Sequence, residues 1–316
     1  MSTQKRIEAN MTKTIYSGIL PVVPTTFTET GDLDLDSQRR ALDCIVDQGV
    51  DGACILANFS EQFLLTDDER DALLTLCLDH IAGRIPIIVT CSHFSTRIAV
   101  ERAKRAEDAG AAMIMMMPPY HGTALKTDEI GIREHFERLA DAIDIPIMVQ
   151  DAPLSGVTLS VRLLVELAQA IPQLAYFKIE TPGTAAKIRA LIEAAGRAID
   201  GPLDGEESIT LMADLDAGAT GSMSSALLPE LIKPVIEHHQ AGDRDKAATQ
   251  YARILPLINY ENRQCGLRAA KTVMMEGGVI TSDAVRHPLE PLHPETRMGL
   301  LELARSRDVI ALRWGR

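Results

Sequence analysis

At 316 residues with 46% hydrophobic content, the chain can bury a large core, as one α/β barrel or as two smaller domains. A formal net charge of −12 argues against a nucleic-acid surface or an anionic membrane as the main partner, and no apolar run reaches the roughly 18 to 20 residues that span a bilayer. The five cysteines are scattered and form no CxxC pair, and nothing near the start resembles the apolar core of a signal peptide, so core cysteines and a cytoplasmic location are expected.

Residues 1–14 read as a loose polar tail. From Gly18 onward, short apolar runs alternate with longer amphipathic ones, the rhythm of parallel strands joined by crossover helices. Strands are predicted at 19–23, 52–56, 85–90, 112–117, 145–150, 175–179, 198–200 and 219–223. Helix starts are signalled by Asp36-Ser37, by Thr66 with Glu69 in a capping-box pattern, and by Ser160. Eight βα units point to a closed (β/α)8 TIM barrel, whose C-terminal strand ends face the active-site mouth. After Pro229 the strand pattern stops. The expectation is one structural domain, with the barrel over 15–228 and a C-terminal helical extension over 229–316.

The sixth predicted strand carries Lys178 inside the apolar run Ala175-Tyr176-Phe177-Lys178-Ile179-Glu180. A free lysine has a pKa of about 10.4 and is rarely nucleophilic at neutral pH, but burial disfavours the ammonium and is expected to lower that value. Residues two apart in a strand share a face, so Tyr176, Lys178 and Glu180 point the same way. An amine beside a carboxylate there could form and exploit an imine, or be a simple ion pair closing the strand. Gln150 ends the fifth strand, and it can hydrogen-bond a substrate hydroxyl but cannot shuttle a proton. Tyr120 and His121 follow the fourth strand on a rigid Pro118-Pro119 turn, and Asn58-Phe59-Ser60-Glu61 follows the second with donors suited to a carboxylate. Met113, Met115, Met116 and Met117 read as core. Asp204-Gly205-Glu206-Glu207 reads as a helix cap before 209–215 rather than a metal cluster. His238 and His239 diverge on a helix, so they are poor joint ligands. No zinc spacing, P-loop or dinucleotide fingerprint is present, and no metal is expected.

Taken in order, these segments resemble the dihydrodipicolinate synthase and N-acetylneuraminate lyase superfamily of lysine-dependent barrels, over nearly the whole chain. Gly18-Ile19-Leu20-Pro21-Val22-Val23-Pro24-Thr25-Thr26-Phe27 resembles its first strand, Gly218-Ala219-Thr220-Gly221-Ser222 its strand-eight segment, and Arg286-His287-Pro288-Leu289 its C-terminal turn. Lys178 falls on the Schiff-base position. The chain departs from the family in two places. Ala57-Asn58-Phe59-Ser60-Glu61 replaces the usual Gly-Thr-Thr-Gly-Glu, and Gln150-Asp151-Ala152-Pro153 replaces a Tyr-Asn-x-Pro run whose tyrosine relays protons in aldol chemistry. The variant runs resemble a branch that dehydrates 2-keto-3-deoxy sugar acids. The resemblance implies a covalent lysine imine with no cofactor; placement makes Glu180 the candidate base, Tyr120 and His121 the candidates for protonating a leaving hydroxyl, and Gln150 the candidate for positioning it. By placement too, Asn58, Phe59 and Ser60 are expected to hold the carboxylate, with Thr25 and Ser222 at the substrate, and the resemblance implies a homotetramer or dimer. A pyruvate-dependent aldolase and a non-catalytic sugar-acid sensor are the alternatives.

Overall fold

In a computed structural model, which describes residues 15–121 and 127–315, the short apolar runs lie side by side as parallel strands. They are β1 (Gly18–Ile19), β2 (Ala53–Ile55), β3 (Ile87–Thr90), β4 (Met113–Met116), β5 (Ile147–Asp151), β6 (Tyr176–Ile179), β7 (Gly201–Asp204) and β8 (Gly221–Ser222). The sheet order is β1-β8-β7-β6-β5-β4-β3-β2. Beyond β1, Val22 bridges both Cys54 and Ser225, and the Val23 N–H donates to the Cys54 carbonyl at 2.8 Å, which joins β1 to β2 and completes the expected (β/α)8 barrel. The predicted tail at 1–14 lies outside the described residues.

One strand differs from its predicted position. The seventh runs over Gly201–Asp204, not 198–200, and residues 196–198 form a 3-10 turn instead. Glycine and proline both disfavour a strand, so Gly201-Pro202 reads as a turn in sequence, and only pairing on β6 overrides it.

Strand alternation separates two apolar layers. Leu20, Val22, Cys54, Met113, Met115, Met148, Tyr176 and Leu203 fill the barrel, whereas Ile114, Val149, Phe177 and Ile179 pack outward under the helices. The methionine run is therefore core, as expected, with Met113 and Met115 inside and Met116 outside.

The crossover helices are α1 (Leu35–Asp47), α2 (Asp67–Ile81), α3 (Thr96–Asp108), α4 (Glu129–Ala140), α5 (Val161–Ala170), α6 (Thr184–Ala195) and α7 (Leu211–Asp216), and α8 (Pro229–Gln240) packs on β1. Asp34 caps α1 by accepting from the Ser37 N–H, Thr66 and Glu69 form the full capping box on α2, and Ser160 caps α5. Each such cap is worth about 1 kcal/mol. Three further helices follow, α9 (Arg244–Tyr260), α10 (Arg268–Glu276) and α11 (Pro294–Ser306), with a π-helical segment over Glu261–Cys265 between the first two. Among the described residues no helix is long and apolar enough to cross a membrane.

Candidate active site

The inward face of β6 places Lys178 near the C-terminal end of the barrel, in register with Gln150 on β5 and Leu203 on β7. Its side chain is buried, and Nζ lies 3.0 Å from Glu180 Oε1. That same oxygen accepts a hydrogen bond from Gln150 Nε2 at 2.7 Å. Three of the predicted residues thus converge. Their closeness depends on a glycine: a Cβ on Gly205 would sit 2.6 Å from Glu180 Cγ and 2.8 Å from Lys178 Cγ.

Beyond β7 the chain turns through two left-handed non-glycine residues, Glu207 at φ 54° and Ser208 at φ 66°. Such conformations cost of order 1 kcal/mol or more each and persist only where the surroundings enforce them. Asp204 supplies the enforcement. Its carboxylate accepts the N–H of Glu206 at 3.0 Å and of Ser208 at 2.9 Å, and the Ser222 hydroxyl donates to it at 2.6 Å. The helix-cap reading is therefore corrected: Asp204 ends a strand and pins a loop, while α7 begins only at Leu211 without a side-chain cap.

The strained turn carries Glu207 into the interior, where it is buried and its Oε2 has no hydrogen-bond partner among the described residues. Sequence reasoning missed this residue. Burial raises its carboxyl pKa well above the carboxylate range; Lys178 opposes this rise, and Glu261, Glu180 and Asp204 add to it. Glu261, from the π-helical segment, is buried as well and is pushed up to about 8, although the Ser225 hydroxyl donates to it at 2.5 Å.

These carboxylates reverse the expected behaviour of the lysine. Burial by itself lowers the pKa of Lys178, but Glu180 and then Glu207 outweigh it, and the ammonium is held above the usual lysine value. In the free protein the amine is charged. A neutral amine arises when its proton passes to a neighbouring carboxylate such as Glu180, 3.0 Å away, so nucleophile and proton acceptor are already in contact.

The 3-10 turn Asn58–Ser60 follows β2. Ser60 Oγ donates to the Val23 carbonyl at 2.6 Å, Thr25 Oγ1 donates to the Ser60 carbonyl at 2.7 Å, and Gln62 Nε2 donates to Asn58 Oδ1 at 2.7 Å. Phe59 packs against the barrel interior. Thr25 thus props the turn, and Ser222 is engaged by Asp204 and by Ser208 Oγ at 2.7 Å. Tyr120 and His121 stand apart from the lysine. They line a cavity of about 490 Å³ with Gln62, Phe63, His93, Phe94 and Arg102, and neither Lys178 nor Glu180 is part of its wall. Burial pushes the Tyr120 phenol up to about 12. His121 is exposed, 5.9 Å from the Phe94 ring, and Gly122 after it lies outside the described residues.

The chain whose barrel holds this buried lysine among carboxylates belongs to the Dihydrodipicolinate synthetase family, whose model matches residues 15–306. Within the family it is 56% identical over 299 residues to the L-2-keto-3-deoxyarabonate dehydratase of Azospirillum brasilense, covering 95% of this chain and 97% of that one. It is 30% identical to 4-hydroxy-tetrahydrodipicolinate synthase 1 of Streptomyces coelicolor, over 88% of this chain and 89% of the relative. Among solved structures, a putative dihydrodipicolinate synthetase from Pseudomonas aeruginosa superposes with a TM-score of 0.86 at 27% identity, covering 92% of this chain and 98% of that one. YagE of E. coli K12, in complex with pyruvate, superposes with a TM-score of 0.86 at 25% identity, covering 94% and 100%.

Proposed function

We propose that the protein is a hydro-lyase that dehydrates L-2-keto-3-deoxyarabonate to 2-oxoglutarate semialdehyde through an imine on Lys178, a step of pentose degradation. The observation that carries the dehydratase reading is the group beside the amine. It is a carboxylate, Glu180 at 3.0 Å, held in place by Gln150, and not a phenol.

Lys178 attacks the C2 ketone after passing its proton to a carboxylate, and water leaves to give an iminium. Glu180 then removes a C3 proton, which the iminium acidifies, and the enamine expels the C4 hydroxyl as water with a proton from the same acid-base set. Loss of a C5 proton and reprotonation at C3 give a C4–C5 enol, which tautomerises to the aldehyde. Hydrolysis frees the lysine. The net change is loss of one water, so no redox cofactor enters the balance. The raised pKa of Glu207 suits it to arrive protonated and serve as the acid. Tyr120 and His121 remain further proposed donors to the leaving hydroxyl, while Asn58, Phe59 and Ser60, braced by Thr25, receive the carboxylate. Ser222 acts through Asp204 on the Glu207 turn. Assembly as a homotetramer or dimer and a cytoplasmic location complete the proposal.

The test is product identity by NMR after incubation with L-2-keto-3-deoxyarabonate and no added cofactor. The semialdehyde is expected, and Lys178→Ala abolishes both turnover and the mass increase trapped by borohydride. Pyruvate and glycolaldehyde would replace the dehydratase reading with an aldolase.

A further inference from the structure

The carboxylate-binding turn is anchored from 210 residues away. Glu61, directly after Asn58–Ser60, adopts a left-handed backbone at φ 57° and ψ 35°, a conformation that residues with a Cβ hold only under constraint. Its carboxylate supplies the constraint. Oε1 accepts from Lys271 Nζ at 2.5 Å, and Oε2 accepts from the Arg286 N–H at 3.0 Å. Both side chains of the Lys271–Glu61 pair have 0% exposure. Lys271, on α10, gives a second hydrogen bond to the Ala284 carbonyl at 2.6 Å and lies 4.6 Å from the centre of the Phe27 ring.

Arg286 completes the cluster. Its guanidinium sits 4.5 Å from the same ring, donates to both oxygens of Glu69 at 2.7 Å, and reaches the Leu64 carbonyl at 2.7 Å. The loop after β1, the loop after β2 and the first turn of α2 are thereby fastened to the C-terminal helices by two cations and two anions. Removing such charges from water is costly, and apolar groups of the same shape commonly fill a buried site as well. What an ion pair adds is direction: Glu61 can face only one way, and the turn it follows is held in one shape.

We propose that Lys271 is a positioning residue for the substrate carboxylate, holding Glu61 so that the turn at 58–60 keeps the shape that receives a 2-oxo acid. The inference rests on reading that turn as the carboxylate site. Because Lys178 lies on a different strand with its own partners, loss of the anchor weakens ligands that carry a carboxylate and spares ketones that lack one.

Borohydride trapping on Lys178, followed by intact mass, tests this with pyruvate and with hydroxyacetone, in the wild type, in Lys271→Met and in the double variant Glu61→Gln/Lys271→Met. The double variant leaves no buried charge unpaired, so it reports even where the single variant fails to fold. In both variants the half-saturating pyruvate concentration should rise about tenfold or more, the loss expected for a charge-assisted contact. Trapping of hydroxyacetone should stay unchanged. Equal losses for both ketones would reduce the cluster to fold support, and unchanged pyruvate affinity would remove it from binding; either overturns the proposal. A wild type that traps neither ketone would sink the imine reading itself, and one that traps both equally well would sink the carboxylate site and this inference with it.

Discussion

Among the described residues, two buried lysines each pair with a glutamate, and the two pairs are built in opposite ways. Around Lys271 every partner is matched: one carboxylate, one carbonyl, one aromatic face, and an arginine that takes up the second glutamate. Around Lys178 there is more acid than one ammonium can neutralise, and Glu207 Oε2 and Gln150 Oε1 are buried without partners among the described residues. The pKa shifts of the two lysines also differ in sign. Burial prevails at Lys271 and lowers its pKa, whereas carboxylates prevail at Lys178 and raise it. A satisfied ion pair fixes geometry, while an over-supplied, under-bonded one can take up and release protons.

The sharpest way to break this contrast is to remove acid from the second pair. Glu207→Gln keeps the shape and takes away the proton, so turnover should fall by about 10²- to 10⁴-fold, with borohydride trapping of substrate on Lys178 retained. Turnover near wild type would leave Glu180 alone as the acid-base group. A smaller effect is expected from Gly205→Ala, since the new Cβ would meet Glu180 Cγ, Lys178 Cγ and the Ile179 carbonyl within 2.6 to 2.8 Å. The backbone must move, which should cost about 1 to 3 kcal/mol of stability and roughly 10²-fold in turnover through misplacement of the pair. Steady-state kinetics together with urea unfolding separate the two losses, and an unchanged turnover would mean the pair tolerates displacement.

The mildest effect is on pH dependence. Glu261 is raised from 4.5 to about 8, so it is protonated in the fold at pH values where the unfolded chain has released its proton. Its contribution is therefore full below about 4.5 and is lost as pH rises through about 8. Asp214 and Glu230, each raised to about 7, act in the same direction. Urea midpoints should fall as pH rises from about 5 to 9, and Glu261→Gln should flatten the slope without removing it. A slope identical to wild type would place the proton elsewhere.

Much of the site was legible because it obeys local rules. Lys178 and Glu180 are two residues apart in a strand, so alternation alone puts them on one face, and the register of β5 on β6 brings Gln150 beside them. Glu207 was not legible, because its approach to Lys178 depends on where β7 ends and on two left-handed residues that no local preference favours. The pattern Asp204 to Glu207 is equally a helix cap, and only pairing with β6 and β8 decides against it. Tyr120 and His121 illustrate the limit from the other side: their loop follows β4 as read, yet they line a cavity whose wall includes neither Lys178 nor Glu180.

The sequence by itself determined the eight-unit βα rhythm, the caps at Thr66 and Ser160, the methionine-filled interior and the strand that bears Lys178, since each follows from periodicity or capping within a few residues. Tertiary structure alone decided the end of β7, the entry of Glu207, the sign of the Lys178 shift and the pairing of Lys271 with Glu61. The physical reason is range. Periodicity and caps act between near neighbours along the chain, whereas burial and Coulomb interactions act between whatever folding brings within a few ångströms, as with two side chains 210 residues apart.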